Sequence, residues 1–531
     1  MVSYPTSLSD ISLFEKANGI SVNVFGWENN KVFPLQITEH RFPKHVNVLL
    51  MSQGEKRHFT LIRNMSRLFG DRTGCKKRTF YCNYCLHGFS SECRLDKHLP
   101  YCSVNAPQKV ILPEEKDKWL NFKSYSKGLK VPFVIYADFE CFLQSCSDVK
   151  SHTEKYQKHV PSGFCYVVVS SVDKYNKPAV VYRGENVMDE FMSCLEKERE
   201  EIVNILSQVI PMNLSVEEEH AFQCELNCHI CERLLGVDRV RDHDHLTGKY
   251  RGAAHNACNL NYRFSKENVR KHNSFHIPII FHNLRGYDSH LIMESLGKDP
   301  NAKLSCIANN MARYISFFRG NFRFIDSFQF LSSALDTLVG NLPKDKFKIL
   351  KQHYTDNLSL LCRKGVYPYD YMDNASKFME TQLPPIACFF NTLNNEPITE
   401  MEYEHAQKVW NAFRITNLGE YHDLYLKTDA LLLADVFENF REVCLKCYKL
   451  DPGHYYTAPG LAWDAMLKMT GVTLELIDDI DMYLMWEKGI RGGISMISNK
   501  YGKANNTYLP DYDPAAASKY LTYLDANNLY G

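Results

Sequence analysis

Four acidic residues stand in settings suited to holding divalent metal: Asp138, Glu140, Asp288 and Asp429. Asp138 and Glu140 close the run Phe133-Val-Ile-Tyr-Ala-Asp138-Phe-Glu140, which reads as a strand. Residues two apart on a strand point to one face, so the two carboxylates converge. Asp-x-Glu by itself equally describes two exposed acids on an edge strand. Asp288 ends Ile277-Pro-Ile-Ile-Phe-His-Asn283-Leu-Arg-Gly-Tyr287-Asp288, a buried strand passing through a glycine turn into a helix. An aspartate there also suits an N-cap. Asp429 ends Tyr421-His-Asp-Leu-Tyr425-Leu-Lys-Thr-Asp429, where Tyr425 and Asp429 share one helix face, continued by Leu433, Val436 and Phe440. The plain alternative is a phenol and an acid packed at a helix end. Carboxylates and water are the ligands that hard Mg²⁺ prefers.

Two cysteine- and histidine-rich stretches have different chemistry. Cys82-x2-Cys85-x12-His98-x3-Cys102 has the spacing of a ββα zinc finger, with Phe89 and Leu95 at its small-core positions. Four such ligands suit tetrahedral Zn²⁺. If the finger's helix enters a major groove, Ser91, Arg94 and Lys97 face the bases. A stapled mini-domain without a partner is the alternative. The second stretch combines Cys228-x2-Cys231 with Arg241-Asp242-His243-Asp244-His245 and His255-x2-Cys258-Asn259. Cys228, Cys231, His255 and Cys258 can clamp one Zn²⁺.

In order and context the three acidic segments resemble the first, second and third exonuclease motifs of family B DNA polymerases. The resemblance implies a ribonuclease H-like fold, a mixed sheet flanked by helices. It also implies 3′→5′ hydrolysis by two Mg²⁺ ions roughly 3.5–4 Å apart. Asp138, Glu140, Asp288 and Asp429 would hold the ions, and Tyr425 would orient the attacking water. Asn283 and Tyr287 would meet the terminal nucleotide or its strand. Gly489-Ile-Arg-Gly492-Gly493 resembles the linker motif of protein-primed family B enzymes, with Ile490 in place of a tyrosine, so Gly492 and Gly493 are expected to approach DNA. Leu524-Asp525-Ala-Asn-Asn528-Leu529-Tyr530-Gly531 resembles the first polymerase motif, in which Asp525 would bind catalytic Mg²⁺.

The chain as a whole resembles the polymerases of Maverick/Polinton self-replicating transposons. Phe324-Ile-Asp-Ser-Phe-Gln-Phe-Leu331 and Tyr455-Tyr-Thr-Ala-Pro-Gly-Leu-Ala-Trp463 support this. The resemblance implies DNA as partner, as single-stranded 3′ ends and primer-template. A terminal protein would prime, and a dNTP would bind only where the polymerase site is complete. The second catalytic aspartate belongs to a later motif, so the expectation is hydrolysis without synthesis. The second zinc stretch resembles the phage recombination endonuclease VII group, with a ββα-metal, HNH-like fold. There Asp242 and Asn259 would hold Mg²⁺, His243 would activate water and His245 would assist. Structure-selective endonuclease activity, or a non-catalytic zinc-containing DNA-binding remnant, are the competing readings.

The expected architecture is α/β, of the α+β multidomain kind. Short alternating strands over residues 1–75 form a small β-rich domain. A zinc finger occupies 76–104. A basic linker (Lys116, Lys118, Lys123, Lys127) leads to the exonuclease domain, 128–445, interrupted by the zinc module at 224–262. Residues 446–531 open the polymerase palm and finish in a strand-like run, Tyr520 to Leu524. A length of 531 residues exceeds what one core supports. Net charge is zero, so bulk charge neither favours nor excludes DNA. No apolar run approaches the ~20 residues of a membrane helix. The N-terminus lacks a signal-peptide pattern, and six of 18 cysteines fall into metal spacings. An intracellular, nuclear location follows as the expectation.

Overall fold

The computed structural model describes residues 8–28, 31–53, 56–69, 78–105, 111–150, 153–261, 275–297, 304–310, 313–392, 395–490 and 501–522. The chain divides into two compact units, Met1–Lys118 with Ile477–Gly531, and Trp119–Leu476.

In the first unit, α1 (Leu8–Asn18) precedes β1 (Ile20–Glu28), β2 (Lys31–Gln36), β3 (Lys44–Gln53) and β4 (Lys56–Leu61). The sheet order is β2-β1-β3-β4, with β1 and β3 parallel. The finger is β5 (Phe80–Tyr81), β6 (Gly88–Phe89) and α2 (Glu92–Val104). The expected boundary between sheet and finger is crossed by side-chain bonds. Asn23 Nδ2 donates to Asn83 O at 2.6 Å, and Asn47 Nδ2 to Asn83 Oδ1 at 3.2 Å. Arg41 donates to Cys102 O and stacks over Tyr84. The anticipated C-terminal strand is not seen over Tyr520–Thr522. There only Lys519 bridges to Asn505, while Asn505 gathers the carbonyls of Asp513, Ala516 and Ala517 into a turn-rich knot.

The second unit is built on a seven-stranded mixed sheet. Its strands are β7 (Phe133–Lys150), β8 (Thr153–Ser170), β9 (Val180–Arg183), β12 (Ile277–Phe281), β13 (Leu304–Asn310), β14 (Arg313–Arg319) and β15 (Phe322–Asp326), in the order β9-β8-β7-β12-β15-β14-β13. β7, β12 and β15 are parallel, and the flanking pairs antiparallel. The intervening β10 (Arg239–His243), β11 (Tyr250–His255) and a short helix belong to the zinc module described below.

The period of two along a strand explains the layers. Phe133, Ile135, Ala137, Phe139, Ile277, Ile279, Phe281, Phe322 and Phe324 face one core, shared with α3 (Val187–Ser207) and α6 (Asp288–Leu296). Val134, Tyr136, Ile280 and Ile325 face the opposite core, packed against α7 (Leu418–Tyr448). Helices therefore cover both sheet faces, as a hydrophobic mixed sheet requires.

The unit runs past the expected limit of 445. Phe122, Cys444, Leu450, Tyr455, Leu461 and Ala465 form one core, and Leu474–Glu475 pair with Trp119–Leu120. Arg441, wholly buried in α7, holds Asp451 through Nε at 2.9 Å and Nη2 at 2.6 Å. A buried guanidinium needs such a partner, so the segment after 445 cannot separate from the helix without exposing a charge pair. No described helix is long and apolar enough to cross a membrane.

Candidate active site

Parity along β7 aims Asp138 and Glu140 toward the face that α7 covers, the same face as Val134 and Tyr136. α7 starts at Asn417, whose side chain accepts from Glu420 N at 3.0 Å. Its run Leu431-Leu-Leu-Ala-Asp-Val-Phe437 is buried against the sheet. That packing brings Asp429 inward, and ligand oxygens of Asp138, Glu140 and Asp429 lie within 4.8 Å of one another.

Asp288 opens α6, with Tyr287 rather than Asp288 as the N-cap. It lies outside that tight group, yet burial and then the Asp138 carboxylate raise its pKa. Oδ1 of Asp288 and Oδ1 of Asp429 are buried with no hydrogen-bond partner among the described residues. Buried carboxylate oxygens normally find partners, so two orphans facing a cluster of acids fit a bound cation.

The electrostatics agree. Burial, then the Asp429 carboxylate, pushes Asp138 up to about 7. Burial, then Asp138, holds Glu140 well above the usual carboxylate range, and the same causes act on Asp288. Like charges in a desolvated site cannot all ionise without a compensating cation.

One compensating cation comes from the protein. Lys364 Nζ lies 3.2 Å from Asp429 Oδ2. Burial opposes its charge, but Asp429, Tyr369, Asp138 and Glu140 together hold its pKa well above the ordinary lysine value. Sequence reasoning missed Lys364, because a lysine in the loop Arg363-Lys-Gly-Val-Tyr-Pro-Tyr369 carries no periodic signal. The resemblance gives Tyr425 the role of orienting the attacking water. Its hydroxyl bonds to that of Tyr369 at 2.6 Å, and its ring stacks on Tyr367 with centroids 4.8 Å apart. Gly365 permits this: a Cβ there would lie 2.7 Å from the Tyr425 ring.

Asp326 was also missed. The parallel register sets it beside Phe281 at the carboxyl end of the strands. It accepts from Asn283 N at 2.9 Å, Arg285 N at 3.0 Å and Phe328 N at 3.0 Å, so it holds the turn leading to Asp288. Asn283 is exposed and adopts φ 67°, a left-handed conformation that asparagine tolerates. His282 pins the same turn, to Ser327 Oγ at 2.9 Å and Ser333 O at 3.0 Å.

Both sulfur-rich groups converge. Cys82, Cys85, His98 and Cys102 form one cluster, and Cys228, Cys231, His255 and Cys258 another, each with ligand atoms within 4.8 Å. Cys82 Sγ and Cys102 Sγ are 3.8 Å apart, as are Cys258 Sγ and His255 Nδ1. Zinc–thiolate bonds of about 2.3 Å in a tetrahedron give edges of about 3.8 Å. Both donor sets thus fit Zn²⁺. In the finger, Arg94 and Lys97 are exposed on α2, whereas Ser91 is the N-cap and accepts from Arg94 N.

The second cluster joins a turn carrying Cys228 and Cys231 to β11 (Tyr250–His255) and α5 (Asn256–Asn261), with β10 (Arg239–His243) paired to β11 in a ββα order; α4 (Val216–Cys224) packs beside it. Asp242 is buried and fully engaged. It accepts from Arg251 Nε at 2.9 Å and Nη2 at 2.8 Å, and pairs with His229 Nε2 at 2.9 Å. Burial opposes its charge, but His229 and Arg251 outweigh it and lower its pKa. Asn259 is half-buried on α5 and makes no hydrogen bond to Asp242 or His243 among the described residues. His243 and His245 rings lie 4.9 Å apart, and His243 Nε2 is buried without a hydrogen-bond partner. The three clusters of metal-ligating side chains among the described residues do not include Asp242. Gly492, Gly493 and Asp525 lie outside the described residues.

Acids gathered with one lysine between a mixed sheet and a covering helix form a group that could hold a divalent metal ion. Residues 269–513 match the family model of DNA polymerase type B, organellar and viral. The match supports a DNA polymerase function with DNA as substrate. It takes in Asp288, Lys364, Tyr425 and Asp429, while Asp138, Glu140 and both sulfur clusters fall outside it. No curated protein and no solved structure matches the chain.

Proposed function

We propose that the acidic site is a 3′→5′ exonuclease centre on a ribonuclease H-like domain, serving a family B DNA polymerase of the transposon type. The observation carrying this reading is the convergence of Asp138, Glu140 and Asp429 within 4.8 Å, with Lys364 Nζ at 3.2 Å from Asp429. Water attacks the terminal phosphodiester, the P–O3′ bond breaks, and a nucleoside 5′-monophosphate leaves a strand one unit shorter. Bound Mg²⁺ supplies charge neutralisation on the phosphate and on the departing oxygen. Asp138, Glu140, Asp288 and Asp429 would hold it. Lys364 pairs with Asp429 and adds positive charge beside the reacting phosphate. The Tyr369–Tyr425 hydroxyl pair positions a phenol at the same edge. Asn283, exposed on the turn fixed by Asp326, is offered to the strand end.

Zn²⁺ at both sulfur clusters is structural in this reading. Arg94 and Lys97 lend the finger a basic face for DNA phosphates. A terminal protein and a nuclear location accompany the transposon-type assignment, and dNTP binding only where the polymerase site is complete.

The test uses 5′-labelled single-stranded DNA with Mg²⁺. The chain should shorten it from the 3′ end, and Asp138→Ala with Glu140→Ala should abolish this. Equal shortening by the double variant sinks the reading.

The ββα order around His243, with its buried unpaired Nε2, favours one second reading, an endonuclease acting on branched DNA. It requires Asp242 to leave Arg251. Internal nicking that disappears in His243→Ala and persists in the Asp138/Glu140 variant would support it.

A further inference from the structure

Backbone pairing between β7 and β12 stops at Tyr136, opposite Ile280. Beyond that point β7 continues through Asp138 and Glu140, paired among the described residues with β8 alone. The turn bearing Asn283, Tyr287 and Asp288 follows β12 with no ladder joining it to β7. Its distance from Asp138 and Glu140 is therefore set by side chains. Asp326 secures it from the β15 side.

On the other side stands His159, on β8 opposite Leu143. Its Nδ1 lies 2.7 Å from the Tyr287 hydroxyl, and the two rings meet edge to face at 5.4 Å. The Cys141 thiol, next after Glu140, lies near the same phenol. Tyr287 immediately precedes Asp288. His159 thus reaches from the strand pair carrying two of the acids to the turn carrying a third. His159 is exposed and Tyr287 half-buried, so the bridge lies at the rim where a strand end must enter.

We infer that His159 is a positioning residue of the exonuclease site, acting through Tyr287 to hold the rim against which the 3′-terminal nucleotide of a single DNA strand lies. This rests on the exonuclease reading. A bond between two side chains that touch substrate only at the rim governs strand binding more than the chemical step, so its loss belongs in KM.

The experiment measures steady-state trimming of a short single-stranded oligonucleotide at saturating Mg²⁺ by His159→Ala, Tyr287→Phe, their combination and His159→Gln. Loss of one hydrogen bond should raise KM about five- to tenfold with kcat within about twofold. Tyr287→Phe should match His159→Ala. The double variant should be no worse than either, because both remove one interaction. Gln, which keeps a donor, should restore most of the affinity. Unchanged KM, additive losses, a fall in kcat alone, or a Gln variant as impaired as Ala would each overturn the inference. If the unaltered chain trims nothing, the exonuclease reading fails by itself. Oligonucleotide affinity without Mg²⁺, by fluorescence anisotropy, then decides this one: non-additive weakening in the same variants upholds it, and unchanged affinity overturns it.

Discussion

Replacing Asp138 by Asn should stabilise the protein in the absence of Mg²⁺ while destroying its metal response. Burial and the neighbouring Asp429 push the Asp138 carboxyl from 3.8 up to about 7. A carboxyl whose pKa rises on folding binds its proton more tightly in the folded chain. Its ionised form therefore weakens the fold above pH 7, and the penalty is relieved as pH falls from about 7 toward 3.8. At ~1.36 kcal/mol per pH unit the penalty is about 4 kcal/mol at most. Asp138→Asn keeps the shape and removes the charge. At pH 8, in zinc-replete, magnesium-free buffer, the variant should melt several degrees above the parent. At pH 5 the gap should shrink, because the parent is then largely protonated. Mg²⁺ at a hundredfold over its Kd should stabilise the parent by ~2.7 kcal/mol and the variant by much less. Melting curves at both pH values, with and without Mg²⁺, provide the assay. A variant less stable at pH 8, a gap of equal size at pH 5, or an equal Mg²⁺ response would refute the reasoning that these acids repel one another around a cation.

Lys364→Met should leave Asp429 without its cationic partner and slow trimming by roughly a hundredfold at saturating Mg²⁺, read from kcat. Asp326→Ala strips acceptors from two backbone N–H groups of the turn and from Phe328 N, and should cost about 3 kcal/mol, seen as a lowered denaturation midpoint, with trimming lost alongside. The chain should carry two Zn²⁺ by elemental analysis, and Cys231→Ser should lower that to one. Because the zinc module has a core of its own, that variant should keep trimming within a few-fold of the parent.

Part of this site was readable from residue order. The run Phe133 to Glu140 encodes its own parity, since alternate side chains must go to opposite cores and the acids follow the even-numbered residues. The sulfur ligands were readable because tetrahedral metal demands close pairs at short spacing. What could not be read were contacts between distant segments. Lys364 and Tyr369 lie in an irregular loop, and nothing local distinguishes them from solvated residues. Asp326 stands in a segment that served only to support the resemblance; the parallel pairing of β15 with β12 makes its carboxylate a clasp for the turn. The engagement of Asp242 by Arg251 was likewise invisible, because an acid beside histidines looks the same whether vacant or occupied. The boundary at 445 moved for the same kind of reason, a buried Arg441 whose partner lies beyond it.

The family match and the geometry bear on different halves of the site. The matched stretch begins at residue 269, so it carries no information about Asp138 or Glu140. Those two acids come from a strand far upstream, separated from the match by the whole zinc module. Yet the sheet sets that strand beside β12 and beneath α7, and its acids meet Asp429 from the matched stretch. Folding pressure alone disfavours such a meeting, since it buries like charges and leaves two carboxylate oxygens without partners. A helix as apolar as α7 would pack as well, and more stably, with a leucine at 429. An arrangement that costs stability and is assembled from independent segments is what a metal-dependent site requires and what a purely structural one would lose.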